Sequence, residues 1–441
     1  MRLGETLAGL RLGGALRLAR GSVLAQLVTL AAVPVLARLF PAEAFGLFGF
    51  VSTAAAALSV AVTLRYDQGI LPARHSGEAA ACAILALLAA AGFALVLELG
   101  LLAAGAHLDA WSRLGGLAAV AWLLPISMAI QAFTLVGVQW GLRQHRDSAV
   151  AGLYLVRAAV MTGLQVVGGL LGGGAAALLG GQVLGALAGL LALRMRVGPP
   201  RLDAGAGPPV AQLREAAWAQ RHLALFGAPR MMLEATGKIA MIGLISVLFG
   251  PRDAGLYWMA VRVLAVPAAF ADEPVRQATF RATAEARRSG EAASRPVVLA
   301  VVALGLGSLL GIGILHLAGD QLVAIVLGEQ WAAVGPYLRL LSICAAAGMT
   351  SIPLSGLAVV LGCQRQHLGF EVVLQAGRLG CLGLGYWEGS FLLALQALAV
   401  LETLYVALLA WFLLRREAST QRPPALLPGA EASAAANTDW S

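Results

Sequence analysis

The chain has 441 residues, of which 59% are hydrophobic and only 12% charged; its formal net charge is +8 and its mean hydropathy +0.81. Soluble domains carry roughly a quarter of their residues as charges, so these figures exclude a soluble enzyme or a nucleic-acid-binding domain and define an integral membrane protein. The period-two alternation of a membrane barrel is absent, which leaves helices as the spanning form.

Residues 1–20 space leucines three or four apart between arginines, the pattern of a short amphipathic helix lying on the inner leaflet. The apolar run after them is longer than a signal-peptide core and leads into a second apolar run, so it is read as a retained first span. Runs long enough to cross a hydrocarbon core of ~30 Å then follow at 21–40, 44–64, 79–104, 115–138, 148–171 and 174–195. A stretch rich in Pro, Gly and Arg, 196–222, interrupts them and reads as a linker. Further runs occupy 223–250, 254–274, 296–318, 334–361, 367–386 and 390–414, and a polar tail, 415–441, has the composition of a disordered segment. The expected architecture is therefore an all-α membrane protein of about twelve spans in two six-helix lobes, 21–195 and 223–414. With residue 1 inside, arginines crowd the inner segments and the outer loops hold only Arg113 and Arg252. The positive-inside bias puts both termini and the linker in the cytoplasm and accounts for the net charge.

A short motif supports the two lobes. LFPAEAFGLF at 39–48 returns as LFGPRDAGLY at 248–257, in each case at the outer corner between the first two spans of a lobe. Gly46 and Gly255 are expected to let the chain begin the next helix in close packing. Matching positions in two halves of six spans describe a parallel repeat with a site expected between the lobes.

Function classes fall away next. No outer loop is long enough to hold a sugar and its leaving group, the longest running from Gly319 to Ala333. There is no G-x-x-x-x-G-K-[ST] and no H-E-x-x-H. Cys82, Cys344, Cys363 and Cys381 are scattered, with neither disulfide nor metal spacing. Glycine runs such as GGLLGGGAAALLGG read as small residues that let helices approach. The remaining class is a transporter without its own ATPase.

Charges at membrane depth are costly and by default functional. The seventh span carries Arg230, Glu234 and Lys238 at i, i+4 and i+8, a single stripe, and Lys238 is the only lysine in the chain. Two readings stand: a structural triad with Glu234 between two cations, or the lining of a cavity. Arg262, Arg157, Arg339 and Arg378 add cations at similar depth, with Arg157 and Arg378 in the fifth span of each lobe; Glu98, Glu371 and Glu402 are the further acids. Taken singly, each arginine is explained by interhelical hydrogen bonding. Together they describe a net-cationic cavity whose guest is an anion, phosphate above all. Glu234, Glu98 and Glu371 are the candidates for ion coupling.

The stretch from Leu24 to Arg74, with its G-L-F turn after Pro41 and its R-Y-acid ending (Arg65, Tyr66, Asp67, then Pro72), resembles the opening of the polysaccharide biosynthesis (O-antigen) flippases of the multidrug, oligosaccharidyl-lipid and polysaccharide exporter superfamily. LFGPRDAGLYWMAVRVLAVP and LGEQWAAVGPYLRLLSICAAAGMTSIPLS are similar to that family's eighth-span and tenth-span signatures. Asp67 stands where the family pattern often has Glu, and Gly69 where it has an apolar residue. The resemblance implies a flippase that moves an undecaprenyl-pyrophosphate-linked oligosaccharide from the inner to the outer leaflet of the bacterial cytoplasmic membrane by alternating access. A multidrug or other lipid exporter of the same superfamily is the alternative, and a membrane-embedded polysaccharide polymerase a further one. The span 21–40 holds no acid, so the coupling carboxylate of many multidrug exporters is missing. No cofactor is expected; the membrane potential or a proton or sodium gradient is the expected drive. Expected partners are the lipid-linked oligosaccharide, membrane lipids, and polysaccharide polymerase and chain-length machinery, with no nucleic acid, around a monomer.

Overall fold

The computed structural model describes residues 2–111, 117–203, 207–221, 223–289 and 291–421, and among them every regular element is helical. Twelve helices exceed 20 residues: α1 (Arg2–Leu39), α2 (Ala42–Val62), α4 (Ser76–Trp111), α6 (Leu123–Arg143), α7 (Asp147–Leu170), α8 (Gly174–Val197), α10 (Ala228–Phe249), α11 (Pro251–Arg288), α12 (Ser294–Val326), α13 (Val334–Val360), α14 (Gln364–Trp387) and α15 (Phe391–Gln421). Short helices α3 (Tyr66–Gly69), α5 (Leu117–Ala121) and α9 (Pro209–Ala219) lie between them. Among the described residues nine helices are long and apolar enough to cross a membrane. The long helices outside that set are α10, α11 and α14, on which the chain places Arg230, Glu234 and Lys238, Arg262, and Glu371 and Arg378.

Twelve long helices stand where about twelve spans are expected, nine of them apolar enough to cross a membrane among the described residues, and several ends are shifted. The fourth runs from Ala119 to Arg143, with the short helix α5 at its start. The eighth does not stop at 274 but runs to Arg288, and the ninth continues to Val326, so that most of the expected outer loop 319–333 is helix followed by a single turn at Glu329–Trp331. Apolarity marks where lipid can be tolerated, while a helix ends only where its hydrogen-bond ladder is broken, here at Gly328 with φ 101°. Residues 2–20 are continuous helix with the first span. The side chains that would make this segment amphipathic lie outside the described residues, as do Arg113 and residues 422–441 of the tail.

The expected linker is largely ordered. α9 starts on Pro209 at its first turn, Gln212 clasps the incoming loop through Asp203 (2.8 Å to its carbonyl) and Gly207 (2.9 Å), and Ala216 is buried against the alanine face Ala79–Ala86 of α4. Gln220 reaches Glu78 at 3.3 Å, tying the far end of α9 to the start of α4.

By contact the chain forms two compact units, Met1–Ala260 with Asp320–Tyr337, and Val261–Gly319 with Leu338–Ser441. In the first unit α7 and α8 pack along a glycine stripe. A Cβ at Gly181 would lie 2.7 Å from Gln165 Cγ, one at Gly185 2.6 Å from Met161 Cβ, and one at Gly189 2.8 Å from the Leu153 carbonyl oxygen. Small residues at i, i+4 and i+8 bring two backbones together, as the glycine-rich composition implied, and Gln165 adds a hydrogen bond to the Leu178 carbonyl at 2.8 Å. In the second unit α14 and α15 pack on a core of Leu357, Leu374, Leu409 and Leu413, to which Ala293 and Val297 at the start of α12 contribute.

Candidate functional site

The repeated turn comes first, because both copies meet in the first unit. A Cβ on Gly46 would lie 2.2 Å from the carbonyl oxygen of Pro251, and one on Gly255 would lie 1.9 Å from that of Ala42. Ala42 and Pro251 open α2 and α11 and stand at equivalent places in the two copies, so the contact is reciprocal: each glycine receives the first turn of the other copy's helix. Around this seam Phe45 stacks on Trp258 (5.9 Å between centroids) and meets Trp331 edge-on (5.4 Å), and Phe48 meets Trp258 at 5.1 Å. The turn after α12 closes over it. Trp331, fully buried, donates its indole N–H to the Ala37 carbonyl at 2.7 Å, Gln330 bonds the same oxygen, and Arg38 reaches the Ile325 carbonyl at 3.0 Å. The Tyr337 hydroxyl donates to Asp253 at 2.7 Å.

Away from that seam, α2 and α10 flank a half-open cavity of about 410 Å3 lined by Ser52, Thr53, Ala56, Ala57, Val60, Met231 and Ala235. Its walls are small residues with hydroxyls at one end, and its size is that of an ordinary ligand pocket. On α10 the position of Lys238 falls within about 20° of Met231 around the helix axis, given ~100° per residue. The side chains of Arg230, Glu234 and Lys238 lie outside the described residues; their backbone is helical.

At the other end of α2 the chain turns through an elbow that the sequence marks as R-Y-acid. Leu64 (φ 49°) and Arg65 (φ 61°) both adopt left-handed backbone, a conformation that costs an L-residue roughly 1–2 kcal/mol. The compensation is local. The Thr63 hydroxyl donates to the buried Asp67 carboxylate at 2.8 Å and accepts the Arg65 N–H at 3.3 Å; Arg143 of α6 donates to the Ile70 and Leu71 carbonyls, each at 3.0 Å, just before the exposed Pro72. Gly69 leaves room for Cys82, whose sulfur would lie 3.1 Å from a Cβ there, and Tyr66 is buried beside it. Burial and the neighbouring Cys82 push the Tyr66 phenol above its ordinary value.

The remaining predicted residues are distributed over both units. Arg157 sits half-buried on the α7 face that packs on α8, its backbone and Cβ against Gly185 and Gly189. Glu98 of α4 has a buried carboxylate oxygen with no hydrogen-bond partner among the described residues. Arg262 is half-buried on α11, four residues after Trp258. Arg339 is half-buried in the first turns of α13, where its carbonyl accepts from Ser342 at 2.6 Å.

Arg378 is engaged within the second unit. Its Nη2 and Nε lie 2.6 and 2.7 Å from Glu402 Oε1, and its Nη1 lies 3.0 Å from Gln375 Oε1. Three residues from Glu402 on α15, the Tyr405 hydroxyl donates to Glu371 Oε1 at 2.6 Å, while His367 Nε2 stands 3.6 Å from the same oxygen and 3.5 Å from the Tyr405 hydroxyl. Neither His367 nor Tyr405 stood out in the sequence. The signal available was the i, i+4 spacing of His367 and Glu371, four residues short of Gln375; their partners on α15 are fixed only by packing.

The described residues form an all-helical membrane transporter fold. Three solved structures share it: an inward-facing multidrug transporter of the MATE family (14% identity, 93% of this chain and 100% of that one, TM-score 0.62), the lipid II flippase MurJ in an inward closed conformation (9%, 90% and 87%, TM-score 0.67), and a superfamily transporter from Pyrococcus furiosus described as having a binding pocket of reversed polarity (13%, 93% and 96%, TM-score 0.52). The family profile described as "Polysaccharide biosynthesis protein" matches residues 35–336, more than half of the chain, and the chain belongs to that family. No curated protein matches it. It is thus a multi-pass helical membrane protein of the polysaccharide biosynthesis family, with the fold of those exporter and flippase structures.

Proposed function

We propose that the protein flips an undecaprenyl-pyrophosphate-linked oligosaccharide from the inner to the outer leaflet of the bacterial cytoplasmic membrane, with both termini in the cytoplasm. The observation that carries the proposal is the α2–α10 cavity in a chain of the polysaccharide biosynthesis family. Arg230, Glu234 and Lys238 are carried by α10, the helix that supplies Met231 and Ala235 to its lining. A cavity of this size takes a pyrophosphate and its first sugar, not a whole glycan and lipid, so the prenyl chain stays in the bilayer. Ser52 and Thr53 offer hydroxyls to the polar group, for which the cations of α10 are the proposed partners, and Arg157, Arg262 and Arg339 are proposed as further cations at membrane depth. Arg378 contributes less to such a field, because Glu402 neutralises it. Glu234 and Glu98 are proposed acids of the coupling route.

An inside-negative potential favours outward movement of pyrophosphate by ~2.3 kcal/mol per charge per 100 mV, or roughly 4–5 kcal/mol for two charges. That is close to the differential needed to invert a two-state equilibrium. The test is cellular. Loss of the protein should trap lipid-linked repeat units in the inner leaflet, and Lys238→Ala or Arg262→Ala should do the same at normal membrane levels. Repeat units that reach the outer face unpolymerised would instead identify a polymerase, and unaltered glycolipid with lost drug efflux a multidrug exporter.

A further inference from the structure

The polar groups of α14 and α15 form a ladder in the second unit: His367, Glu371, Gln375 and Arg378 on one helix, Tyr405 and Glu402 on the other. They occupy about 16 Å of α14 at ~1.5 Å per residue. Its two ends differ in charge balance. At the deep end Arg378 and Glu402 neutralise each other, and Glu402 is only 8% exposed. At the other end Glu371 has no Arg or Lys partner among the described residues. Its side chain is 45% exposed and lies about 10 Å along α14 from the start of that helix, inside the span 367–386 expected from the sequence. Its partners are a phenol and an imidazole, and imidazole is the side chain that ordinarily gains and loses charge between pH 5 and 8.

Among the described residues, the groups facing this cluster from the surrounding elements do not supply the missing cation. Cys344 of α13 and Cys381 of α14 lie near Arg378 and Glu402, and the parts of α12 and α13 packed on the ladder present Val297, Leu354 and Leu357. A lone carboxylate here is therefore stable only when the face is wet, and it suits a dry or lipid-facing surface only when it carries a proton or pairs with a protonated His367.

We propose that His367, Glu371 and Tyr405 form a proton-binding site that couples the transport cycle to the proton gradient; the coupling role rests on the flippase reading above. A proton from water arrives at His367 Nε2 and passes to Glu371 Oε1, 3.6 Å away. The Tyr405 hydroxyl, which donates to the charged carboxylate, then turns its hydrogen toward His367 Nε2, 3.5 Å away. The charged form selects conformations in which this face of α14 is hydrated, and the neutral form selects those in which it is dry, so each proton bound biases one equilibrium.

Two measurements test this separately. In proteoliposomes carrying a fluorescent lipid-linked oligosaccharide, a tenfold proton gradient should speed wild-type flipping several-fold, while Glu371→Gln should flip without responding to the gradient and Tyr405→Phe should respond weakly. Glu388→Gln, exposed at the end of α14, should behave as wild type. A wild-type response retained by Glu371→Gln, or a response to sodium in place of protons, overturns the proposal. Infrared titration of the purified protein between pH 5 and 8 needs no substrate. A carboxylic-acid band absent from Glu371→Gln supports the site even if no glycolipid is flipped, and an unchanged band in that variant refutes it.

Discussion

Gly255→Ala is the sharpest perturbation of the repeat seam. The added Cβ would stand 1.9 Å from the Ala42 carbonyl oxygen and 2.7 Å from its carbon, both backbone atoms that no rotamer change can move. An ordinary carbon–oxygen contact is about 3.3 Å, so the first turns of α2 and α11 must separate by more than about 1 Å. Overpacking of this kind costs roughly 1–3 kcal/mol, the upper part of the range applying where backbone meets backbone. Alanine recovers at most ~1 kcal/mol through its better helix propensity. The net expectation is a loss of about 1–2 kcal/mol, visible as a lower unfolding temperature in detergent by fluorescence-detected size exclusion. Gly307→Ala on α12 supplies the control, since a Cβ there meets nothing within 4 Å and the same propensity gain stands unopposed. Gly46→Ala should resemble Gly255→Ala, its Cβ lying 2.2 Å from the Pro251 carbonyl, and the double variant should lose less than the sum because one displacement relieves both contacts. If Gly255→Ala is as stable as Gly307→Ala, the reciprocal packing of the two turns is wrong.

Other consequences follow from the same contacts. Arg378→Ala strands the buried Glu402 carboxylate and should cost about 3–5 kcal/mol, Glu402→Ala should cost less because Arg378 is partly exposed, and Arg378→Met with Glu402→Leu should recover most of the loss; the folded fraction recovered after heating distinguishes them. Arg65→Gly removes a left-handed L-residue and should raise stability by up to about 1 kcal/mol while lowering glycolipid flipping. Unchanged flipping would limit the R-Y-acid motif to shaping the elbow. Thr63→Val leaves the buried Asp67 without its hydroxyl donor and should cost about 1–3 kcal/mol in the same unfolding assay, with Thr63→Ser largely retaining the bond.

The sequence by itself determined a helical multi-pass membrane protein, because hydrocarbon must be crossed by about 20 apolar residues with their backbone satisfied locally. It also marked Gly46 and Gly255 as close-packing positions, since glycine is the residue that lets backbones touch. It left open what those glycines touch. That the first turns of α2 and α11 sit on each other is a relation between positions 209 apart, and helical periodicity reports only neighbours along one helix. The charges show the same division. Spacing put His367, Glu371, Gln375 and Arg378 on neighbouring turns of α14, but only packing against α15 decided that Arg378 is neutralised by Glu402 while Glu371 is left to a phenol and an imidazole. The energy of an ionised group at membrane depth depends on the partner across the interface, and that partner is set by tertiary structure.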